Sequence, residues 1–173
     1  FSILDVDQMG IRYNSNLLTI EEDRVYSNGR YFLGLGVNFI KFPTTLVAAE
    51  FAGGNQLAAW SAEGQEVFLE VGFYYRLDRG KLVDIYKKYD EKYHARMLQV
   101  AKRVIKQVTI QYQAIQFFSN RTLIGEKMAR DLRVSLATED MILELFTLRA
   151  VDIPDAFEAK IQSKVVTLQT AKT

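Results

Sequence analysis

The sequence predicts an α+β fold, and three observations predict it. Alternating and β-branched segments crowd into the first half, stripes at three- and four-residue spacing fill the second, and one strand with one further helix closes the chain. Of 173 residues, 49% are hydrophobic and 25% charged, so a core can form without a disulfide or metal staple. The apolar fraction excludes intrinsic disorder, and ten glycines with two prolines exclude linker-like or collagen-like chains.

In the β-rich half, Ser2–Val6 opens as a strand. Gly10–Tyr13 and Leu17–Ile20 flank Asn14-Ser15-Asn16, a hairpin by length and composition. Val25–Arg30 carries an Asn28-Gly29 turn. Tyr31–Gly36 and Val37–Phe42 then run as strands to Pro43, which ends pairing. Leu46–Phe51 is the next strand, broken by Gly53-Gly54-Asn55. Leu57–Ser61 and Gln65–Leu77 are joined by Ala62-Glu63-Gly64. In the longer one Val67, Leu69, Val71 and Phe73 share a face, with Glu66, Phe68, Glu70, Gly72 and Tyr74 on the other, the alternation of a half-buried strand.

The helical half begins with Lys81–Tyr89, after Arg79-Gly80. Glu91–Phe118 reads as one helix with Met97, Leu98, Ala101, Val104, Ile105, Val108, Tyr112 and Ile115 on its stripe. Lys102, Arg103, Lys106 and Gln107 fill its other side. Ser119 is a fitting N-cap for Asn120–Leu136, where Ile124, Met128, Leu132 and Leu136 recur every four residues. Met141–Asp152 returns to strand character, with Leu143, Leu145 and Val151 on alternate positions. Pro154 opens a last helix whose stripe is Phe157, Ile161, Val165 and Leu168.

The residue inventory excludes most chemistry. Lysine and arginine total 22 against 21 acids, so no bulk positive field is available to hold nucleic acid. Without cysteine there is no thiolate nucleophile and no cysteine-ligated metal. The single histidine, His94, lies on a helix in Tyr93-His94-Ala95-Arg96 with no serine or cysteine motif, and reads as structural. Gly34-Leu35-Gly36 starts like a dinucleotide fingerprint, but Phe39 stands where the third glycine belongs and a strand follows, so the glycines mark a bend. Glu21-Glu22-Asp23 lacks the spacing of a calcium loop and reads as a solvated turn. Asn120-Arg121-Thr122 matches a glycosylation acceptor but sits at a helix start, where it is uninformative. No catalytic residue, metal site or cofactor is expected.

Two surface features remain. Lys87-Lys88, Lys92, Arg96, Lys102-Arg103 and Lys106 read first as the wet side of amphipathic helices, and second as a contact for acidic headgroups or an acidic partner subunit. Tyr26, Tyr31, Phe32, Phe39, Phe42 and Phe51 read first as core, and second as an aromatic edge resting in a bilayer interface. No run approaches the roughly 20 apolar residues of a spanning helix. The chain opens at Phe1 and closes at Thr173 inside a helical pattern, which reads as a segment of something longer.

Collinear motifs then resemble one family. Gly10-Ile11-Arg12-Tyr13 and Gly29-Arg30-Tyr31-Phe32-Leu33-Gly34 are similar to the opening strands of the SPFH (Band 7, prohibitin-homology) family of stomatins, prohibitins and flotillins. Phe42-Pro43 falls where that family ends a strand in proline, and Ser61-Ala62-Glu63-Gly64-Gln65-Glu66-Val67 resembles its T-x-D-G-x-x-V turn. Tyr74-Tyr75-Arg76-Leu77 ends the long strand as the family does. Arg103 and Arg121 match arginines of its central helices, and Val151-Asp152-Ile153-Pro154 resembles its closing strand. Departures are Glu63 for the family's aspartate and Thr138-Glu139-Asp140 for its y-G-i; the Gly29–Thr45 stretch looks like divergent protist-type members.

The resemblance implies an antiparallel β-rich half packed with helices, with residues 1–153 as the SPFH-like domain and 154–173 as the start of a C-terminal coiled coil. It implies a non-enzymatic membrane scaffold that oligomerises laterally with like subunits, often into rings, and holds client proteins or proteases. A membrane anchor would precede Phe1, in the mitochondrial inner membrane or in plasma membrane or endomembranes. The competing expectation is a soluble ligand-binding or accessory subunit domain, which a deep enclosed polar pocket would favour.

Overall fold

The computed structural model describes residues 1–154, and over these the chain is an α+β arrangement of antiparallel sheets and four α-helices. The helix expected to follow Pro154, with Phe157, Ile161, Val165 and Leu168, and the coiled-coil start at 154–173, lie outside the described residues. The chain divides into two units, the first of Phe1–Ala49, Tyr74–Val100 and Arg133–Leu145, the second of Glu50–Phe73, Ala101–Leu132 and the residues from Phe146 onward.

In the first unit β1 (Ser2–Leu4) pairs antiparallel with β4 (Gly29–Tyr31), and β2 (Gln8–Asn14) lies between β3 (Thr19–Ile20) and β5 (Val37–Pro43). The register sets Met9 opposite Phe42 and Ile11 opposite Ile40, and both Met9 and Ile11 are buried. Leu4, Tyr26, Leu33 and Phe39 form a buried cluster against which Tyr31 and Val37 pack. Tyr26 and Tyr31 meet the Phe39 ring at 5.0 and 5.3 Å, so the first reading of the aromatics holds for these three and for the buried Phe42 and Phe51. Phe42 lies edge-on to Tyr86, on α1 (Leu82–Tyr89), and tilted against Tyr93, which opens α2 (Tyr93–Thr109).

Two local expectations fail here, the first because pairing over distance overrides turn chemistry, the second because glycine turn chemistry ends a strand. Asn28-Gly29 makes no hairpin. Gly29 is the first residue of β4 and pairs with Leu4, while Tyr26 exchanges both backbone hydrogen bonds with Gly10 (3.0 and 2.9 Å) and is no longer available to Tyr31 or Phe32. Tyr31–Gly36 is a strand only at Tyr31. Gly34 and Gly36 enter the left-handed region (φ 85° and 73°), which ends the extended run in a bend, and Leu33 gives its carbonyl to Arg12.

The sheet of the second unit contains β6 (Val47–Phe51), β7 (Leu57–Trp60), β8 (Glu66–Leu77) and β9 (Met141–Asp152), in the order β6-β8-β7, with β9 also on β8. Strands β6, β8 and β9, like helices α2 and α4, contribute residues to both units. The β7–β8 hairpin pairs Leu57 with Leu69 and Trp60 with Glu66, and the expected alternation holds: Val67, Leu69 and Val71 are fully buried. They form the core with Ala101, Val104, Ile105 and Val108 of α2 and with Ile124, Met128 and Leu132 of α4 (Arg121–Thr138), all buried.

The continuous helix expected over Glu91–Phe118 is interrupted. It stops at Thr109 and resumes as the single turn α3 (Gln116–Ser119). The hairpin captures the backbone between them: Ala62 N–H donates to the Tyr112 carbonyl (2.8 Å), and the Glu63 carboxylate accepts from Ala114 N–H (2.6 Å). Ser119 does not cap α4. It ends α3 and turns its hydroxyl back to the Ile115 carbonyl. On β9 the span is as expected but the phase is not: Glu144 and Leu145 are both exposed in succession, so Leu145 faces out, 54% exposed, while Phe146 and Leu148 are half-buried.

Candidate functional surface

The features that set this chain apart lie on its surface. In the first unit the β2–β3 turn carries Leu17 and Leu18, exposed at 70% and 76%, with Leu18 itself in the left-handed region. Ser15 ties that turn to the neighbouring bend, its N–H and its hydroxyl both donating to the Gly36 carbonyl at 2.8 Å. Leu35 precedes Gly36 and is 97% exposed. A Cβ on Gly36 would run into the Asn16 side chain, so glycine is required for this close approach. Phe32 is 78% exposed and meets the Phe1 ring at 5.5 Å, with Ile3 and Val6 also exposed on the same segment. These apolar side chains lie at the loop tips, outside the buried core of the unit.

Several charges of this unit are paired. Asp140, itself left-handed at φ 63°, receives Lys81 at 3.3 Å and Lys88 at 3.0 Å, with its carboxylate only 10% exposed. The Lys88 hydrogen bond holds Asp140 below its ordinary 3.8, against the opposing effect of burial, and the same bond raises Lys88. Arg96 pairs with Glu139 (3.1 Å), Lys87 with Glu22 (2.8 Å), and Arg76 with Glu144 (2.5 Å). Three of the seven residues of the expected basic cluster, Lys87, Lys88 and Arg96, are thereby tied to acids of their own unit. Sequence reasoning missed Asp140 as the hub; its signal was the departure at Thr138-Glu139-Asp140, where a non-glycine residue takes a left-handed turn.

The other expected candidates resolve structurally. His94 shares a 2.7 Å hydrogen bond with the Tyr75 hydroxyl and stacks on its ring, and burial drives Tyr75 above the usual phenol range. Glu21 accepts from the Tyr26 hydroxyl (2.8 Å) and faces Arg12, and Arg24 lies 4.4 Å over the Tyr26 ring. Burial first and the Glu21 bond second raise Tyr26. The acidic run is therefore split among separate partners. Among the described residues no cluster of His, Asp or Glu gathers as metal ligands would.

In the second unit Arg149 crosses Gly72 on β8 to reach Glu50 on β6 at 2.8 Å. Gln56 bridges Glu70 and Asp152 at 3.0 and 2.9 Å. Arg121 donates to the carbonyls of Leu148 and Arg149, locking the start of α4 to β9. Depressions of about 300 Å³ beside Arg12 and Glu21 and about 290 Å³ between α4 and β9 are open to solvent. Among the described residues no helix is long and apolar enough to cross a membrane.

No curated protein matches this sequence. The family model described as SPFH domain / Band 7 family matches residues 2–173, and the chain belongs to that family, whose members are generally membrane-associated and non-enzymatic scaffolds.

Proposed function

From membership of the SPFH domain / Band 7 family, we propose that this chain is a non-enzymatic membrane scaffold. Its copies, or it and related subunits, associate laterally, closing into rings where the contact rotation allows, and organise a membrane patch or hold client proteins and proteases. No bond is made or broken; the work is positioning.

The observation that supports the membrane reading is the set Leu17, Leu18, Leu35 and Phe32, exposed at 70–97% on neighbouring tips of one unit. In water these side chains carry an unrelieved hydration cost, whereas each one buried in a bilayer interface gains about 1.5 kcal/mol or more. The tips need no rearrangement to do so, since Ser15 and Gly36 already hold them side by side.

Vesicle co-sedimentation of the 173-residue chain tests this directly. The unaltered chain is expected to pellet with vesicles, and a Leu17→Ser, Leu18→Ser, Leu35→Ser variant to remain in the supernatant with unchanged circular dichroism. Equal pelleting of the two, or none by either, rejects the tip as the membrane contact.

A further inference from the structure

Resting on the scaffold reading, we propose that the second unit carries a matched pair of docking faces, the helical face of one copy seating on the outer sheet face of the next. The helical face carries a net positive charge, with Glu126 an exposed acid one turn from Arg130 on α4. Lys102, Arg103 and Lys106 lie on the exposed side of α2 and Arg130 on that of α4, and none has an acidic partner among the described residues. Ile110, Phe118 and Leu123 accompany them, exposed at 57%, 46% and 55%. The outer sheet face is acidic. Glu66 and Glu70 lie on the side of β8 turned away from Val67, Leu69 and Val71, Glu50 on the exposed side of β6, and Asp152 at the end of β9. Among the described residues Arg149 pairs with Glu50, and Glu70 and Asp152 accept from the neutral Gln56, with Gly53 N–H also donating to Glu70. Trp60, 57% exposed, stands diagonally beside Phe68 on the same face.

Charges of opposite sign on opposite sides of one helix-and-sheet layer cannot neutralise each other. Their separation exceeds a helix diameter of about 10 Å, and the screening length at physiological salt is about 8 Å. A second copy offers both complements at once. Because the two faces differ, the contact is heterologous and propagates, giving a ring or filament instead of a closed two-fold pair. Trp60 and Phe68 against Ile110 and Leu123 supply an apolar centre, while the charges around it set register and speed encounter.

The test uses two charge reversals of the 173-residue chain, K102E/R103E/K106E and E66K/E70K, checked for folding by circular dichroism and followed by analytical ultracentrifugation. Each variant alone is expected to self-associate at least tenfold more weakly than the unaltered chain. An equimolar mixture of the two recovers assembly, because each reversed face then meets a reversed complement. Self-association of either variant at the unaltered level overturns the pairing while leaving lateral assembly intact, and so does a mixture that stays monomeric. An unaltered chain that never self-associates overturns this inference and lateral assembly together, with vesicle binding still deciding the membrane reading. If K102E/R103E/K106E keeps its assembly but loses binding to anionic vesicles, the basic stripe addresses lipid and the pairing is overturned.

Discussion

The two units handle charge in opposite ways. In the first, cations and acids are brought together: Asp140 between Lys81 and Lys88, Arg96 on Glu139, Lys87 on Glu22. It also exposes apolar side chains at its loop tips, at Leu17, Leu18, Leu35 and Phe32. In the second, Lys102, Arg103, Lys106 and Arg130 on the helices form no ion pair among the described residues, and neither do Glu66 and Glu70 on the sheet. The difference shows that near-zero net charge conceals two kinds of surface. One carries several close ion pairs and apolar loop tips, and the other carries charges of opposite sign on its helices and on its sheet.

The comparison is sharpened first by showing that the interiors do not differ. Ile11 in the first unit and Leu69 in the second are both fully buried. Truncating either, Ile11→Ala or Leu69→Ala, is expected to cost about 3 kcal/mol in urea denaturation. A cost below about 1 kcal/mol at one site would mean that its core is loosely packed.

Next in size is Gly72→Ala, where the added Cβ would lie 2.6 Å from the Arg149 guanidinium. The guanidinium is the free end of a flexible side chain and can swing aside, but doing so strains its exposed pair with Glu50, and a loss of about 1 kcal/mol is expected from thermal unfolding. In an Arg149→Ala background the same change should cost far less, a non-additivity that only direct contact produces. Equal costs in both backgrounds would remove Arg149 from the explanation.

Asp140→Asn probes the paired surface of the first unit. Its lysine partners are about half exposed, so screening reduces the expected loss to about 1 kcal/mol. The sign of the pH dependence follows from the lowered pKa. Asp140 contributes stability in full above its ordinary 3.8, and that contribution disappears as pH falls through its depressed native value. The difference in melting temperature between the unaltered chain and Asp140→Asn should therefore be flat near neutrality and shrink in acid. A gap that widens in acid would contradict the arrangement.

The smallest effect is expected at the tips. Leu17→Ser or Leu35→Ser should change stability by less than about 0.5 kcal/mol, since neither side chain is packed. A large loss would show that these leucines belong to the fold and not to a contact.

Much of the fold was legible because periodicity is a local property. The four-residue recurrence of Ile124, Met128, Leu132 and Leu136 puts all four at 0% exposure, and the alternation from Val67 to Phe73 picked the buried face of β8. The Gly34-Leu35-Gly36 bend was legible too, since glycine's freedom at positive φ is intrinsic. The candidate surface was not. Leu17 and Leu18 read as strand residues, and nothing near them in the chain says that only Thr19 and Ile20 find a partner. Likewise the stripe through Tyr112 and Ile115 looked helical, because the Glu63 carboxylate that takes the Ala114 N–H comes from 51 residues away.

The amino-acid order alone determined where apolar faces recur, which turns glycine permits, and which chemistries the absent cysteine and lone histidine rule out, because those depend on neighbours a few bonds apart. Which leucines stay in water, which cations find an acid, and where a long helix must break were decided by the tertiary structure. Those outcomes depend on groups dozens of residues distant, whose arrival at a given backbone N–H or ammonium is fixed only once the sheets have paired.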